Sequence, residues 1–316
     1  MSKDELFQIK GLTVKPGETL QVDFKIARLP THTPIDLPVY IFRGNKPGPV
    51  LLLTAGLHGN EINGIEIVRR LVSEGKATPD SGTVIAIPIV NVYGFLQSER
   101  YLPDGKDLNR SFPGNKSGSL AHRVAHVLMN DIIPLIDYGI DFHTGGASLS
   151  NFPQIRCDFE HGINIKLANM FAPPFILNSK MIDKSFRKAA YRQGKHIIVF
   201  EGGESLRFDD YSIQEGIDGT LRMMNALGMR DADAPEATHK SITMKSTSWI
   251  RAKYAGIFHP LIEPGDNIKK NQLLGTITDP YGETTYKIKA RESGHVISLN
   301  YMPVLNAGDA ITHIGK

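Results

Sequence analysis

The chain has 316 residues, of which 41% are hydrophobic and 22% charged, an ordinary globular composition with room for more than one core. Its net charge of +3 comes without a basic block, which argues against a nucleic-acid partner, and no stretch approaches the roughly 18 apolar residues of a membrane span. The single cysteine, Cys157, excludes an intrachain disulfide and a cysteine metal cluster. Met1–Glu5 holds no apolar signal segment, so the expectation is a soluble protein of a reducing cytoplasm.

Leu20, Val22, Phe24 and Ile26 alternate as a half-buried strand over 20–27, and 37–43 reads as a second, with Pro30 and Pro34 between them. After a turn at 44–48 comes an apolar run ending in Gly56-Leu57-His58-Gly59-Asn60-Glu61. Ile65, Val68 and Val72 then share a helical face as far as about Glu74, so this turn is predicted to join a strand to a helix. Residues 83–90 form a continuous apolar run, the pattern of a strand buried on both faces. Residues 91–118 are rich in Pro, Gly, Asp and Asn and read as a long functional loop carrying Tyr93, Arg100, Asp107, Asn109 and Arg110.

Leu120, Val124, Val127 and Leu128 give a helix ending near Pro134, followed by a strand over 138–142 that leads into His143. A strand at 174–177, a helix at 183–193, a strand at 196–200 ending at Glu201 and a helix at 212–227 complete the alternation. Residues 1–230 are therefore expected to form an α/β domain with a mixed, mostly parallel sheet flanked by helices. A linker is expected over 231–240 and a β-rich domain over 241–316, where short strands and glycine turns replace helices. The turns at Gly265-Asp266, Ser293-Gly294 and Gly308-Asp309 make this part resemble the barrel-sandwich of lipoyl and biotinyl carriers. Those carriers modify a lysine on an exposed hairpin; the comparable stretch here is Asp279–Thr284 and contains none, which speaks against a carrier role.

His58, Glu61, His143 and Glu201 all stand just past predicted strand ends, where open α/β sheets bind ligands. His58 and Glu61, at i and i+3 around a helix start, can meet one ion, and imidazole with carboxylate suits zinc. A bare His-x-x-Glu is more often an ordinary polar pair, so the reading depends on the third ligand that a catalytic zinc needs. His143 fills that place, with His122, His126 and His161 as rivals; the first two more readily form one solvated helix face. Glu201 is the candidate base, with Glu204 close enough to compete, and Arg100 and Arg110 suit a carboxylate or an oxyanion.

Gly56–Glu61, Asp107-Leu108-Asn109-Arg110, Asp141-Phe142-His143-Thr144 and Phe200-Glu201-Gly202-Gly203 occur in order, and together they resemble the succinylglutamate desuccinylase/aspartoacylase family, a branch of the zinc carboxypeptidase-like hydrolases. The resemblance implies one Zn2+ per subunit on His58, Glu61 and His143, with Glu201 activating water. It implies that Asn109 and Arg110 hold the carboxylate of a small N-acyl amino acid, that Arg100 polarises the scissile carbonyl, and that Arg156 reaches the substrate. A tyrosine from the C-terminal part, Tyr281 or Tyr301, is a further candidate. The wording is similar to the bacterial deacylase branch, which includes N-acetyl-diaminobutyrate deacetylases. The expected activity is metal-dependent removal of an acyl group by activated water. A metallocarboxypeptidase acting on a peptide or cell-wall fragment, and a non-catalytic ligand-binding protein, are the alternatives. Manganese or cobalt would satisfy the same ligands. Oligomers are common in such proteins, and no residue in the sequence marks one.

Overall fold

The computed structural model describes residues 7–28, 31–146 and 148–316; the expectations placed on Met1–Glu5 and Pro30 lie outside the described residues. A short hairpin, β1 (Phe7–Ile9) and β2 (Leu12–Val14), precedes β3 (Thr19–Arg28), β4 (Pro34–Arg43) and β5 (Lys46–Ala55). Then come α1 (Ile62–Ser73), β6 (Ser81–Ile87), α2 (Val92–Gln97), α3 (Leu120–Val127), β7 (Tyr138–Gly145), β8 (Leu149–Cys157), α4 (Gly162–Phe171), β9 (Phe175–Asn178), α5 (Phe186–Arg192), β10 (His196–Glu204) and α6 (Asp210–Ala226). The C-terminal strands are β11 (Ile242–Met244), β12 (Thr247–Arg251), β13 (Gly256–Pro260), β14 (Asn267–Ile268), β15 (Leu273–Thr278), β16 (Thr285–Lys289), β17 (Gly294–Asn300), β18 (Val304–Leu305) and β19 (Ala310–Gly315).

One mixed sheet runs β12-β19-β17-β8-β10-β7-β5-β6-β4-β3. Its middle, β6, β5, β7 and β10, is parallel, and antiparallel strands extend it on both sides. Both faces of the middle are covered, and the side chains show it. Leu52, Ile85 and Ile197 pack with α3 and α5 on one face, while Leu51, Leu53, Val84, Ala86, Ile140, Phe142, Ile198 and Phe200 pack with α1, α4 and α6 on the other. The unbroken apolar runs in the sequence are the consequence, because alternate residues enter two different cores. The C-terminal strands enclose a separate core between two layers, drawing Ile250, Val296, Leu299 and Ile314 from one and Phe258, Leu274, Ile277 and Ile288 from the other. Hydrogen bonding continues across the 231–240 segment, since β17 pairs with β8 and β11 with β9.

Two readings of the sequence change, and a stretch with no expected element gains two. The strand expected over 83–90 ends at Ile87, where Pro88 has no N–H for the ladder. The expected 91–118 loop contains α2, with the Asn91 side chain accepting from Gly94 N, and a 3-10 turn at Leu108–Arg110 whose Asp107 cap accepts from Asn109 N. The stretch after His143, which carries no clear period, holds β8 and α4; Pro153 sits inside β8 and disguises it.

Phe200 is fully buried, with Phe142 and Phe171 at 5.8 and 5.5 Å between ring centroids. Phe200→Ala is expected to lower unfolding stability by about 3–5 kcal/mol in a denaturant titration. A loss below about 1 kcal/mol would mean that this core is not what holds β10 in place.

Candidate active site

Strand register brings the site together. In the parallel middle of the sheet Ala55 stands beside Phe142, Phe142 beside Phe200, and His143 beside Glu201. Adjacent residues of parallel strands share a face, so His143 and Glu201 emerge side by side. The chain leaving β5 turns at Gly56, in the left-handed region with φ 61°, and passes so close to α2 that a Cβ on Gly59 would fall 1.9 Å from the Gly94 carbonyl carbon. This tight passage carries His58 and Glu61 to the ends of β7 and β10. Glu61 occupies the N-cap position of α1 but makes no side-chain cap bond; its carboxylate turns into the site instead. Asn63 then pins the end of β10, accepting from Asp209 N at 2.9 Å and donating to the Glu204 carbonyl at 3.1 Å.

His58, Glu61 and His143 are all buried, and one ligand atom from each lies within 4.8 Å of the others. Glu61 stands between the two imidazoles: Oε1 is 2.7 Å from His58 Nδ1 and Oε2 is 2.7 Å from His143 Nδ1. Each ring has a second carboxylate behind it. His58 Nε2 is 3.2 Å from Asp107 Oδ1 and His143 Nε2 is 2.8 Å from Asp141 Oδ2, while Thr54 donates to Asp141 Oδ1 at 2.8 Å. An Nε2–H given to a carboxylate leaves the Nδ1 lone pair for an ion, which is the usual support of a metal-binding histidine.

The electrostatics point the same way. Burial pushes the Glu61 carboxyl up, but the two imidazoles outweigh it and hold the group well below the carboxylate range. Burial likewise opposes charge on His143, yet Asp141 and Glu61 raise it well above the ordinary imidazole value. Asp107 is held low against its own burial by His58 and Arg100. Three buried or half-buried carboxylates around two imidazoles form a place that favours positive charge. Arg100 already leans into it, with Nη1 at 3.3 Å from both His58 Nδ1 and Glu61 Oε1, and Nη2 donating to Asp107 Oδ2 at 2.9 Å. Two nitrogens, one carboxylate and backing carboxylates fit a zinc-type ion.

The eight residues to which the family resemblance gives a metal, catalytic or substrate role line one cavity of about 340 Å³: His58, Glu61, Arg100, Asn109, Arg110, His143, Arg156 and Glu201. Glu201 accepts from Asn151 Nδ2 at 2.6 Å and lies 3.4 Å from Arg156 Nε. Asn109 Oδ1 accepts from Phe186 N at 2.9 Å, which ties its loop to the start of α5. Arg110 donates to the Asn109 carbonyl and is otherwise exposed. The rivals stand elsewhere: His122 is bonded to Ser119, His126 to Asn130, and His161 stacks on Tyr191, and neither these nor Glu204 line the cavity. Of the two tyrosines, Tyr281 is 86% exposed on a hairpin and Tyr301 donates to Glu263; neither lines the cavity. The C-terminal aromatic that does is Trp249 of β12.

The sequence reading missed Asn151, Arg187 and Trp249. Asn151 lies on the disguised strand β8. Arg187 is buried, lines the cavity and donates to the backbone carbonyls of Arg156, Ser179 and Lys180, tying α5 to β8 and to the 179–180 segment. Nothing local in the sequence marks Arg187 or Trp249; tertiary hydrogen bonds place the first and strand register the second.

Residues 47–227 match the family model of the succinylglutamate desuccinylase/aspartoacylase catalytic domain. The chain is 28% identical over 294 residues to the N-alpha-acetyl-L-2,4-diaminobutyric acid deacetylase of Halomonas elongata, covering 89% of this chain and 85% of that one. Among solved structures, the product-bound ectoine utilization protein EutE from Ruegeria pomeroyi superposes with a TM-score of 0.84 at 21% identity, covering 100% and 99% of the two chains. A succinylglutamate desuccinylase/aspartoacylase from Rhodobacter sphaeroides superposes at 0.83 with 22% identity, covering 95% and 94%. These two likenesses concern the fold.

Two outcomes follow from the geometry. Asp141→Asn is expected to weaken zinc binding about 10- to 100-fold in competition with a chromophoric chelator, because His143 loses the carboxylate that orients it; an unchanged affinity counts against that support. Burial, and then the charge of Arg156, bring His313 down to about 4. Its folded value lies below the ordinary 6.5, so the unfolded chain binds the extra proton between these limits. The stability that neutral His313 contributes is complete above pH 6.5 and is lost as pH falls towards 4. His313→Phe should flatten that part of a stability-against-pH curve, and an unaltered slope would show that other groups set it.

Proposed function

The chain belongs to the succinylglutamate desuccinylase/aspartoacylase family, and from that membership and the site geometry we propose that it is a zinc-dependent hydrolase removing an acyl group from a small N-acyl amino acid. The observation that carries this reading is the buried His58, Glu61 and His143 set opening on the same cavity as Glu201. These three side chains are the ligands of one zinc ion, which when bound lowers the pKa of water and polarises the acyl carbonyl.

The remaining work falls to the chain's own groups. Glu201 takes the proton from the attacking water and passes it to the leaving amine; Asn151 and Arg156 hold its carboxylate towards the cavity. Arg100 offers its guanidinium beside Glu61 and His58, where negative charge develops on the carbonyl oxygen. Asp107 keeps Arg100 there with a 2.9 Å bond while also backing His58, so one carboxylate positions both groups. Asn109 and Arg110 sit on the loop tied to α5 and receive the substrate carboxylate.

A cavity near 340 Å³ is at the small end of ligand sites and supports a small amide over an extended peptide. The relative from Halomonas elongata, named as a deacetylase of an N-acetyl amino acid, supports the same reaction class. Retention of Glu201 beside the ligand set disfavours a purely binding role.

Glu201→Gln is expected to keep zinc at one ion per chain and to lower kcat for amine release at least about 100-fold on a panel of N-acetyl, N-succinyl and N-formyl amino acids. Chelator should abolish the parent activity and added zinc restore it. Hydrolysis by Glu201→Gln at the parent rate, with zinc bound, would sink the assignment of the base.

A further inference from the structure

Trp249 is the only tryptophan in the chain and comes from the C-terminal strands, yet it lines the cavity with Asn151, Arg156 and Glu201. Register accounts for its position. Trp249 stands opposite His313 on β19, His313 opposite Ser298 on β17, and Ser298 opposite Asn151 on β8. The indole lies flat on the His313 ring, with centroids 4.2 Å apart and planes 4° from parallel. His313 is only 7% exposed, so the surface beneath the indole is fixed, whereas Trp249 itself is 38% exposed. A ring backed in this way is a rigid apolar wall.

Its place along the substrate follows from Glu201, and to that extent the inference rests on the proposed hydrolysis. The group that protonates the leaving amine stands at the amine half. Its two flanking side chains are Asn151, at 2.6 Å, and Arg156, at 3.4 Å; Trp249, which the register through His313 and Ser298 puts on the same sheet face as Asn151, lines the same cavity. The arm carried by the amine therefore faces a flat ring beside two arginines, Arg156 and the buried Arg187, with Glu201 as the acid on that wall. A long arm meets the indole and a cationic arm meets guanidinium groups.

We propose that Trp249 is a specificity-determining residue, a rigid wall that restricts the amine half of the substrate to a short arm, while Arg156 and Arg187 disfavour positive charge on that arm. N-alpha-acetyl-L-2,4-diaminobutyric acid carries an amine on that arm, so this chain differs in preference from its named relative.

The test compares N-acetyl derivatives of 2-aminobutyrate, norleucine and 2,4-diaminobutyrate. The zinc-loaded parent is expected to hydrolyse the aminobutyrate compound best. Trp249→Ala should raise the norleucine-to-aminobutyrate ratio of kcat/KM about tenfold or more, as removal of a steric limit on two methylenes does, while Trp249→Phe keeps the parent ratio. An unchanged ratio in a folded, zinc-loaded Trp249→Ala overturns the wall, and so does a parent preference for the diaminobutyrate compound. If Trp249→Ala does not fold, Trp249→Leu carries the same comparison. Because there is one tryptophan, indole emission reports occupancy of this wall without any turnover. Emission that changes with the aminobutyrate compound but not with norleucine, in a protein that hydrolyses neither, upholds the wall and rejects the proposed reaction. No change with any of the three overturns the wall.

Discussion

The Glu61 carboxylate, buried between His58 and His143, is the constraint from which the rest of the site takes its form. A buried carboxylate is costly unless positive charge faces it, and here each facing imidazole is backed by a further carboxylate. Such an arrangement is strongly biased towards a bound cation. Its own cationic neighbour, Arg100, is drawn to the same atoms and restrained by Asp107. Ligand placement and arginine placement are therefore one electrostatic problem, solved by one cluster.

That cluster can be built only where strand ends meet. His143 stands at the end of β7 and Glu201 beside it on β10, while the turn after β5 brings His58 and Glu61 across. Glu61 gives up helix capping to reach the site, and the stability of α1 comes instead from Ile65, Ile67, Val68 and Leu71 in the core. The glycines work in the same direction. A Cβ on Gly203, at φ 75°, would come within 2.4 Å of Asn63 Nδ2, the side chain that holds the chain after Glu201.

The clustering of His58, Glu61 and His143 was legible in the sequence because parallel strands buried on both faces leave long apolar runs, and polar residues near their ends stand out. His58, Glu61, His143 and Glu201 could be read in that way, and Arg100, Asn109 and Arg110 through the motifs around them. The strands that close the cavity could not. β8 is polar on its cavity side and contains Pro153, so neither period nor propensity reveals it, and Asn151 was lost with it. Arg187 and Trp249 look like any helix arginine and any strand aromatic; the first is defined by three carbonyls from other segments, the second by a ring on another strand.

This contrast has a physical basis in how the sheet is assembled. The parallel middle brings together side chains that local sequence already marks, since His58 and Glu61 follow β5 and His143 and Glu201, expected just past strand ends, lie in the last residues of β7 and β10. The antiparallel extension through β8, β17, β19 and β12 works by register, and its first pairing, β17 on β8, joins strands separated by more than a hundred residues. A one-residue shift in any of those pairings would turn alternate side chains to the opposite face and remove Trp249 from the cavity, while leaving His58, Glu61 and His143 in place. Under the proposed reaction, chemistry and substrate choice would depend on different hydrogen-bonded ladders of one sheet, so Trp249 could vary without disturbing His58, Glu61 and His143.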